Sequence, residues 1–371
     1  MSVVKLGDVA IESKEVCKTD KSKYPIVGLE HIIPEEMIVT EMDHPAETSF
    51  SKMFRSGDVL FGRRRAYLKK AAVARFAGIC SGDITVIRAD EKKLCPQLLP
   101  FIIQNDDLFD YAVGKSAGSL SPRVKWEHLK NYSFRLPDMQ EQERLAEVLW
   151  AINDTRVAYQ KLLSKTDDFI RAKYSELLDY SDDTVDYKVK DVLTQYKKKE
   201  RVKDTKSERY ISVPLYGKGI KERDLGEDDL KPFTTVRIKG GQFIYSRIWI
   251  RKGACGLVPE ELEGAVVTNE FPVFDINENR VNPEFLLYAI LDERFLQQIG
   301  ASNTGSTSKQ RLKENTFLEL RLTLPPIDAQ NRFSEMVRQS KEAQEELRKS
   351  LSNVIDLQKR IIIDNIVIPK E

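Results

Sequence analysis

Residues 136–142 read LPDMQEQ, and residues 324–330 repeat that stretch as LPPIDAQ, 188 positions later. In both places a short β-like run ends in Leu-Pro, and because proline cannot extend a hydrogen-bonded ladder, each run closes the globular part before it. About 40 residues without glycine follow each proline, with apolar side chains at helical spacing. The two junctions therefore predict a chain of two modules, each followed by a long helix.

Three further pairs of segments repeat in the same order, at offsets of 183 to 187 residues. They are 5–9 with 188–192, 24–29 with 210–215, and 118–121 with 305–308. A single match would carry no weight, but four ordered matches indicate two copies of one unit. The period far exceeds that of a solenoid repeat, so each copy is predicted to be a domain.

Both copies share one internal plan of short β-like runs, a helical stretch, a Gly/Ser loop and a closing strand. The β-like runs are 25–29, 58–61 and 84–88 in the first copy, and 211–215, 242–245 and 266–268 in the second. The helical stretches are 97–111 and 283–299. This plan predicts a mixed α/β fold in four parts: a module at 1–137, a central helix at 138–180, a second module at 181–325 and a C-terminal helix at 326–371.

The two long helices carry apolar residues three, four or seven positions apart, which is the spacing of a coiled coil. At 1.5 Å per residue each helix would extend about 60 Å, which is longer than one module. Either each helix packs on its own module or the two pair with each other, and their length and equivalent positions favour pairing. The predicted pairing residues are Leu145, Leu149, Ile152, Tyr159, Leu163 and Ile170 with Phe333, Val337, Leu347, Leu351, Val354 and Ile361.

Composition excludes several classes of protein. The 371 residues are 41% hydrophobic, which excludes wholesale disorder, and 59 Lys+Arg against 58 Asp+Glu exclude a globally basic coat. Any contact with nucleic acid must therefore come from local basic patches. The start lacks a secretory signal, no apolar run approaches the roughly 20 residues of a membrane span, and the four cysteines form no Cys-x-x-Cys pair. We expect a cytoplasmic protein without a membrane partner.

The motifs of catalysis are missing from the sequence. It contains no phosphate-binding P-loop and no methyltransferase motif, and the glycine pair around Lys218 is predicted to be a turn. His31, His44 and His128 lack metal-ligand spacing to one another or to a cysteine. The chain is predicted to have no catalytic residues and to bind no metal or cofactor itself.

Basic clusters recur at matching positions of the two copies, after a β-like run. Arginine binds phosphate or a guanine edge through its planar fork, and neighbouring aromatic rings pack on sugars or bases. A solvated face is the alternative, but recurrence favours contact with DNA. The predicted DNA-binding residues of these stretches are Arg63, Arg64, Arg65, Tyr67, Lys69 and Lys70, and in the second copy Lys218, Arg247, Arg251 and Lys252.

The Gly/Ser loops combine glycine, short hydroxyl side chains and cations, a composition that suits contact with phosphates or base edges. Such loops are also common as flexible connections. The segment 197–209 has seven basic and three acidic residues. A solvated loop is the favoured prediction for this segment, and a phosphate-facing loop is the alternative. The predicted DNA-binding residues of the loops are Ser119, Ser121, Arg123 and Lys125, and Ser306, Thr307, Ser308, Lys309, Gln310 and Arg311.

The ordered set of motifs resembles the specificity subunits of type I restriction–modification systems, over nearly the whole chain. The two junctions look like the family's Leu-Pro-Pro-x-x-Glu-Gln start of its long helices, with Asp138 in place of the second proline and Ala329 in place of the glutamate. The openings at 7–9 and 57–60 also look like the family.

The resemblance implies a non-catalytic subunit with two target-recognition domains, each of which recognises one half of a split double-stranded DNA target. The helices would pair antiparallel, with pseudo-two-fold symmetry, and set the separation of the half-sites. They would also dock two modification subunits, which bind S-adenosylmethionine and methylate adenine, and these would recruit restriction subunits that cleave DNA with ATP and Mg²⁺.

Two other classes of protein remain open on the residues alone. A duplicated scaffold whose modules bind proteins fits the near-neutral charge, but the matched basic loops disfavour it. A self-sufficient enzyme is disfavoured by the missing catalytic motifs. A salt series of binding to random duplex separates the first from a DNA-binding protein, because phosphate contacts give steep salt dependence.

Overall fold

A computed structural model describes residues 2–18, 20–44, 47–179, 183–224, 233–301 and 311–369 of the protein. It divides into two compact units: unit 1 comprises Met1–Leu163 and Glu346–Glu371, and unit 2 comprises Ser164–Glu345. Both long helices therefore contribute residues to each unit. The predicted domain boundaries follow the ends of these helices rather than the compact units, and they stay a prediction.

Within its described residues, unit 1 contains nine strands, four short α-helices and the start of the first long helix. They are β1 (Ser2–Lys5), α1 (Leu6–Val9), β2 (Ala10–Glu12), β3 (Ile26–Val27), β4 (Lys52–Phe54), β5 (Val59–Gly62), β6 (Ala71–Val73), β7 (Gly78–Cys80), β8 (Ile84–Ala89), α2 (Leu99–Ile103), α3 (Asp106–Gly114), α4 (Trp126–Leu129), β9 (Ser133–Leu136) and α5 (Met139–Asp179). The strands form three sheets in the orders β1-β9, β2-β8-β5-β6 and β3-β7-β4.

Unit 2 repeats this plan with two additional strands. Its elements are β10 (Val185–Lys188), α6 (Val189–Val192), β11 (Leu193–Gln195), β12 (Lys199–Val202), β13 (Tyr210–Ser212), β14 (Lys221–Arg223), β15 (Phe233–Arg237), β16 (Phe243–Tyr245), β17 (Cys255–Leu257), β18 (Val266–Val267), β19 (Val273–Ile276), α7 (Pro283–Leu291), α8 (Glu293–Ala301), α9 (Glu314–Leu318), β20 (Arg321–Leu324) and α10 (Ile327–Asn365).

The sheets of the two units correspond strand by strand. Unit 2 has the orders β10-β20, β11-β19-β16-β17 and β12-β15-β18-β13-β14. The first two match the first two sheets of unit 1, and the third widens β3-β7-β4 by the outer strands β12 and β14. In both units one pair is parallel, β3 with β7 and β13 with β18, while its neighbour is antiparallel. The predicted mixed α/β fold with two duplicated modules and long helices is confirmed.

The helical stretches predicted at 97–111 and 283–299 are helical in the structure, and each consists of two helices. In unit 1 helix α2 ends before α3 begins. The Asn105 side chain accepts a hydrogen bond from the Leu108 amide and caps α3. In unit 2 Asp292 has extended backbone between α7 and α8, and its carboxylate accepts from the Arg294 amide at 2.8 Å. Capping side chains therefore restart the helix in both copies.

Parts of both long helices share the core of each unit. In unit 1 Leu149, from the start of α5, belongs to the same hydrophobic core as Ile362, from the end of α10. In unit 2 Tyr174, from the end of α5, packs its ring on Phe333, from the start of α10, with centroids 5.9 Å apart. Within each unit the beginning of one helix thus lies with the end of the other, as expected for antiparallel pairing.

Burial along the predicted pairing positions is uneven. Fully buried are Leu145, Leu149, Ile170, Phe333 and Val337. Half-buried are Ile152, Tyr159, Leu163, Leu347, Leu351, Val354 and Ile361. The contacts of this second group across the helix pair stay a prediction.

A buried glutamine fixes each junction between module and helix. Gln142 is 2% exposed; its amide nitrogen donates to the Pro137 carbonyl at 3.0 Å, and its oxygen accepts from the Cys95 amide at 2.9 Å. Gln330 makes the same two contacts, with the Pro325 carbonyl at 2.8 Å and the Asn282 amide at 2.9 Å. The glutamine of the repeated motif therefore ties the first turn of each helix to the loop that precedes α2 or α7.

We expect Gln142→Leu to lower the free energy of unfolding of unit 1 by about 2–4 kcal/mol, because it leaves a buried amide and a buried carbonyl without partners. Urea unfolding followed by circular dichroism measures the change. Gln140→Leu is the matched control, since Gln140 is exposed on the same turn. If the two variants unfold at the same urea concentration, Gln142 does not hold the junction.

Candidate nucleic-acid interface

In unit 1 the end of β5 meets the base of the Gly/Ser loop around one carboxylate, Asp83. The Arg123 guanidinium donates to Asp83 at 2.7 and 3.2 Å, and Arg64 lies 3.6 Å from the same carboxylate. The Arg64 Nε atom also donates to the Ser121 hydroxyl at 2.6 Å. The backbone of Arg63 joins both partners, because its amide donates to the Asp83 carbonyl and its own carbonyl accepts from Val124.

The charge of this cluster is only partly compensated. The hydrogen bond from Arg123 holds the pKa of Asp83 below its ordinary value, and the charges of Arg123, Arg64 and Arg63 act in the same direction. The guanidinium groups of Arg123 and Arg64 thus contact one carboxylate, and the charge of Arg63 acts on it through space. The buried Nε atom of Arg63 has no hydrogen-bond acceptor among the residues that the structure describes. The cluster is therefore suited to bind an additional anion.

An exposed turn follows this cluster. Residues Ala66–Leu68 form one 3₁₀ turn between two left-handed residues, Arg65 (φ 55°) and Lys69 (φ 52°). Ala66 is buried and anchors the turn, while Tyr67 is 54% and Leu68 41% exposed. Arg65 is exposed beside them. The turn therefore presents a cation, an aromatic ring and an aliphatic side chain to solvent.

The remaining predicted residues of unit 1 differ in how far their charge is available. Lys69 forms an ion pair with Asp106 at 2.5 Å, and the Lys70 ammonium donates to the Leu29 carbonyl at 2.6 Å. Ser119 and Lys125 are exposed. Lys69 and Lys70 thus already have partners within unit 1, whereas Lys125 is presented to solvent.

Unit 2 repeats the cluster at equivalent positions. The Arg247 amide donates to the Glu270 carbonyl at 3.0 Å, and the Leu312 amide donates to the Arg247 carbonyl at 2.9 Å, as Val124 does to Arg63. Arg311 pairs with the Glu270 carboxylate at 2.8 Å, as Arg123 does with Asp83. Glu314 adds a second carboxylate, which binds Arg247. The buried Arg247 Nε atom, like that of Arg63, lacks an acceptor in the described part of the chain.

The exposed turn is also repeated in unit 2. Residues Ile250–Lys252 form the 3₁₀ turn, with Ile250 buried and Gly253 (φ 70°) in the left-handed position of Lys69. Lys252 lies over the Trp249 ring at 5.3 Å, and Arg251 donates to the Ile299 carbonyl at 3.0 Å.

The Gly-Lys-Gly segment around Lys218, which was predicted to be a turn, adjoins the 3₁₀ turn of unit 2. The Gly217 amide donates to the Gly253 carbonyl at 2.8 Å, and Lys218 is exposed next to it. The structure therefore brings Lys218 to the turn that carries Arg251 and Lys252.

Five residues of these clusters were not predicted from the sequence. Asp83, Glu270 and Glu314 are the carboxylates that hold the arginines, Leu120 is 91% exposed at the tip of the Gly/Ser loop, and Tyr216 is 72% exposed with φ 63°. A search for acidic residues at equivalent positions of the two copies would have found Asp83 and Glu270. The predicted residues Ser306, Thr307, Ser308, Lys309 and Gln310 lie outside the described residues.

Two further features bear on function. Across the ranges that the structure describes, no three His, Cys, Asp or Glu side chains are grouped as metal ligands. None of the described helices is both long and apolar enough to cross a membrane.

Comparison with known proteins identifies the fold, and part of the chain matches a family model. No curated protein sequence matches the chain. The S subunit of the type I restriction–modification system from M. genitalium has a TM-score of 0.59 at 11% identity, over 100% of this chain and 96% of that chain. A chain from a structure on complex assembly and conformational transition of the type I R-M system has a TM-score of 0.56 at 17% identity, over 97% and 96% of the two chains.

At these identities the likeness shows a shared fold. The comparison with protein families adds a match in sequence, which covers residues 181–357. These residues match the model of the family described as the type I restriction modification DNA specificity domain, and the resemblance predicted from the sequence is confirmed.

Proposed function

We propose that the protein is the DNA-recognition subunit of a type I restriction–modification complex and that each unit recognises one half of a split target. The observation that carries this proposal is an arginine–carboxylate cluster that is followed along the chain by an exposed turn, at equivalent positions in both units. Clusters of arginine suit phosphate contacts, and exposed turns with aromatic and basic side chains suit base edges.

The two copies divide this site into a constant and a variable part. Arg63, Asp83 and Arg123 keep their chemistry as Arg247, Glu270 and Arg311. The outward side chains of the turn all differ: Arg65, Tyr67 and Leu68 correspond to Trp249, Arg251 and Lys252. A function that both half-sites require, such as phosphate contact, belongs to the constant part. Discrimination between different half-sites belongs to the turn.

The chemistry of the complex is assigned to partner subunits. Two modification subunits would dock on the helix pair and supply S-adenosylmethionine, and restriction subunits would supply ATP and Mg²⁺ for cleavage. The chain itself would bind double-stranded DNA and catalyse nothing. The absence of catalytic motifs in the sequence supports this division.

We expect the purified chain to transfer no methyl group from labelled S-adenosylmethionine to mixed-sequence duplex DNA, and transfer to begin when a cognate modification subunit is added. The modification subunit without this chain is the control, because it should lack a preferred site. Methyl transfer by the pure chain would contradict the proposed division of roles.

A salt series separates this function from that of a protein-binding scaffold. Binding of the chain to random duplex should fall by about 10³-fold or more between 50 and 200 mM salt if six or more phosphates are contacted. Asp83→Asn and Glu270→Gln serve as probes of the constant clusters. A flat salt dependence in the wild-type chain would favour the scaffold.

A further inference from the structure

A cavity of about 450 Å³ lies in unit 1 between α3 and the end of α10. Phe109, Ile355, Ile362 and Ile363 contribute apolar wall to it, and Arg156 of α5 lines it as well. A volume of this size is within the roughly 300–1,000 Å³ of sites for small molecules, which combine apolar walls with a few polar groups.

Arg156 is a buried cation at this cavity that forms no ion pair with any residue that the structure describes. It is 8% exposed; one terminal nitrogen donates to the Asn153 side chain at 3.1 Å, and the buried Nε atom has no acceptor among the described residues. Glu35 and Glu36 attract it through space, but within the described chain neither lies within ion-pair distance. Burial of a charge without a partner is costly, so Arg156 is a poor choice for packing alone.

The other cations around the cavity are compensated. Lys69 and Lys359 both contact the Asp106 carboxylate, at 2.5 and 3.6 Å. Asp107 accepts a hydrogen bond from the Tyr132 hydroxyl at 3.1 Å. Arg156 is therefore the cation in the described lining without an ion-pair partner, and the carboxylates of Glu35 and Asp110 line the same cavity.

Unit 2 shows that the fold does not need this charge. The position equivalent to Arg156 on α10 is Gln344, which is 4% exposed and donates to the Asp167 carboxylate at 2.7 Å. The position equivalent to Asp167 is Ile355, which offers no acceptor side chain to Arg156. One copy thus contains a satisfied neutral side chain, and the other contains an unsatisfied cation beside an open space.

We propose that the unit-1 cavity binds a small carboxylate with an apolar body. The carboxylate oxygens accept hydrogen bonds from the Arg156 guanidinium, and the hydrocarbon part packs on Phe109, Ile355 and Ile362. This site is separate from the arginine–carboxylate clusters and goes beyond the proposed recognition of DNA.

Isothermal titration calorimetry of the full chain with octanoate, 4-phenylbutanoate and the neutral octanamide tests the site. We expect saturable binding of at least one carboxylate at one molecule per chain, and about 10- to 100-fold weaker binding of octanamide, because hydrogen bonds to a charged group are the stronger ones. Arg156→Gln, which copies Gln344, should weaken carboxylate binding by a similar factor. Arg171→Gln, an exposed change on the same helix, should leave it intact.

A second variant keeps the test independent of the loss of the arginine. Ile355→Asp supplies Arg156 with the internal partner that Asp167 supplies in unit 2, and it should abolish carboxylate binding in a chain whose circular dichroism is unchanged. The proposal is overturned if neither carboxylate binds saturably, or if binding survives Arg156→Gln. If neither binds while Arg156→Gln weakens assembly with a modification subunit, the occupant is a partner's acidic side chain and the proposal is likewise overturned.

Discussion

Insertion of one heptad into both long helices, after Leu163 in α5 and before Glu346 in α10, is expected to lengthen the gap between the two DNA half-sites by about three base pairs. Seven residues add about 10.5 Å at 1.5 Å per residue, and base pairs stack about 3.4 Å apart. A heptad preserves the periodicity of the apolar positions, so the insertion extends the helix pair without unwinding it. Methylated adenines mapped in cells that also express the modification subunit measure the gap.

The half-sites themselves should not change in this variant, because no residue of either arginine–carboxylate cluster or exposed turn is touched. A heptad inserted into α5 alone is the control, and it should lower activity because the two helices no longer match. An unchanged gap in the double insertion would show that the helices do not set the spacing.

Exchange of the exposed turn is expected to change one half-site and leave the other intact. The triple variant Arg65→Trp, Tyr67→Arg and Leu68→Lys gives unit 1 the outward side chains of unit 2. Each lost base contact costs about 1–3 kcal/mol, so methylation at the original half-site should fall by about 100-fold or more. Lys69 is kept, because it already holds the left-handed backbone that ends the turn.

The reciprocal variant provides the matched control. Trp249→Arg, Arg251→Tyr and Lys252→Leu should change only the half-site of unit 2. If both half-sites change in either variant, the units do not recognise DNA independently. If neither changes, the specificity resides outside the turns, and the Gly/Ser loops become the next segments to exchange.

The architecture was predictable from the sequence because it rests on periodic and repeated features. The Leu-Pro junctions and the long runs without glycine are local signals, and they correspond to the observed starts of α5 and α10 at Met139 and Ile327. The helix break before α3 was not predicted, because Asn105 acts as a cap only where the tertiary structure ends α2.

The partners of the candidate site were less predictable, because they come from distant parts of the chain. Asp83 lies 40 positions from Arg123, and the acidity of one residue gives no indication of which cation it will bind. No role was predicted for Arg156 from the sequence, whereas in the structure it is buried beside the unit-1 cavity. Only the folded chain shows that its equivalent, Gln344, has a partner.

The division of α5 and α10 between the units also determines the order of assembly during synthesis. Unit 2 is one continuous segment, Ser164–Glu345, whereas unit 1 needs Glu346–Glu371 in addition to its first 163 residues. At about 5–20 residues per second, the ribosome needs roughly 10–40 s to pass from Leu163 to the start of that last segment. During this interval Leu145 and Leu149 lack the Ile362 and Ile366 side chains of their core. The module made first is therefore the module completed last, and its core stays unfinished until residues 346–371 are synthesised.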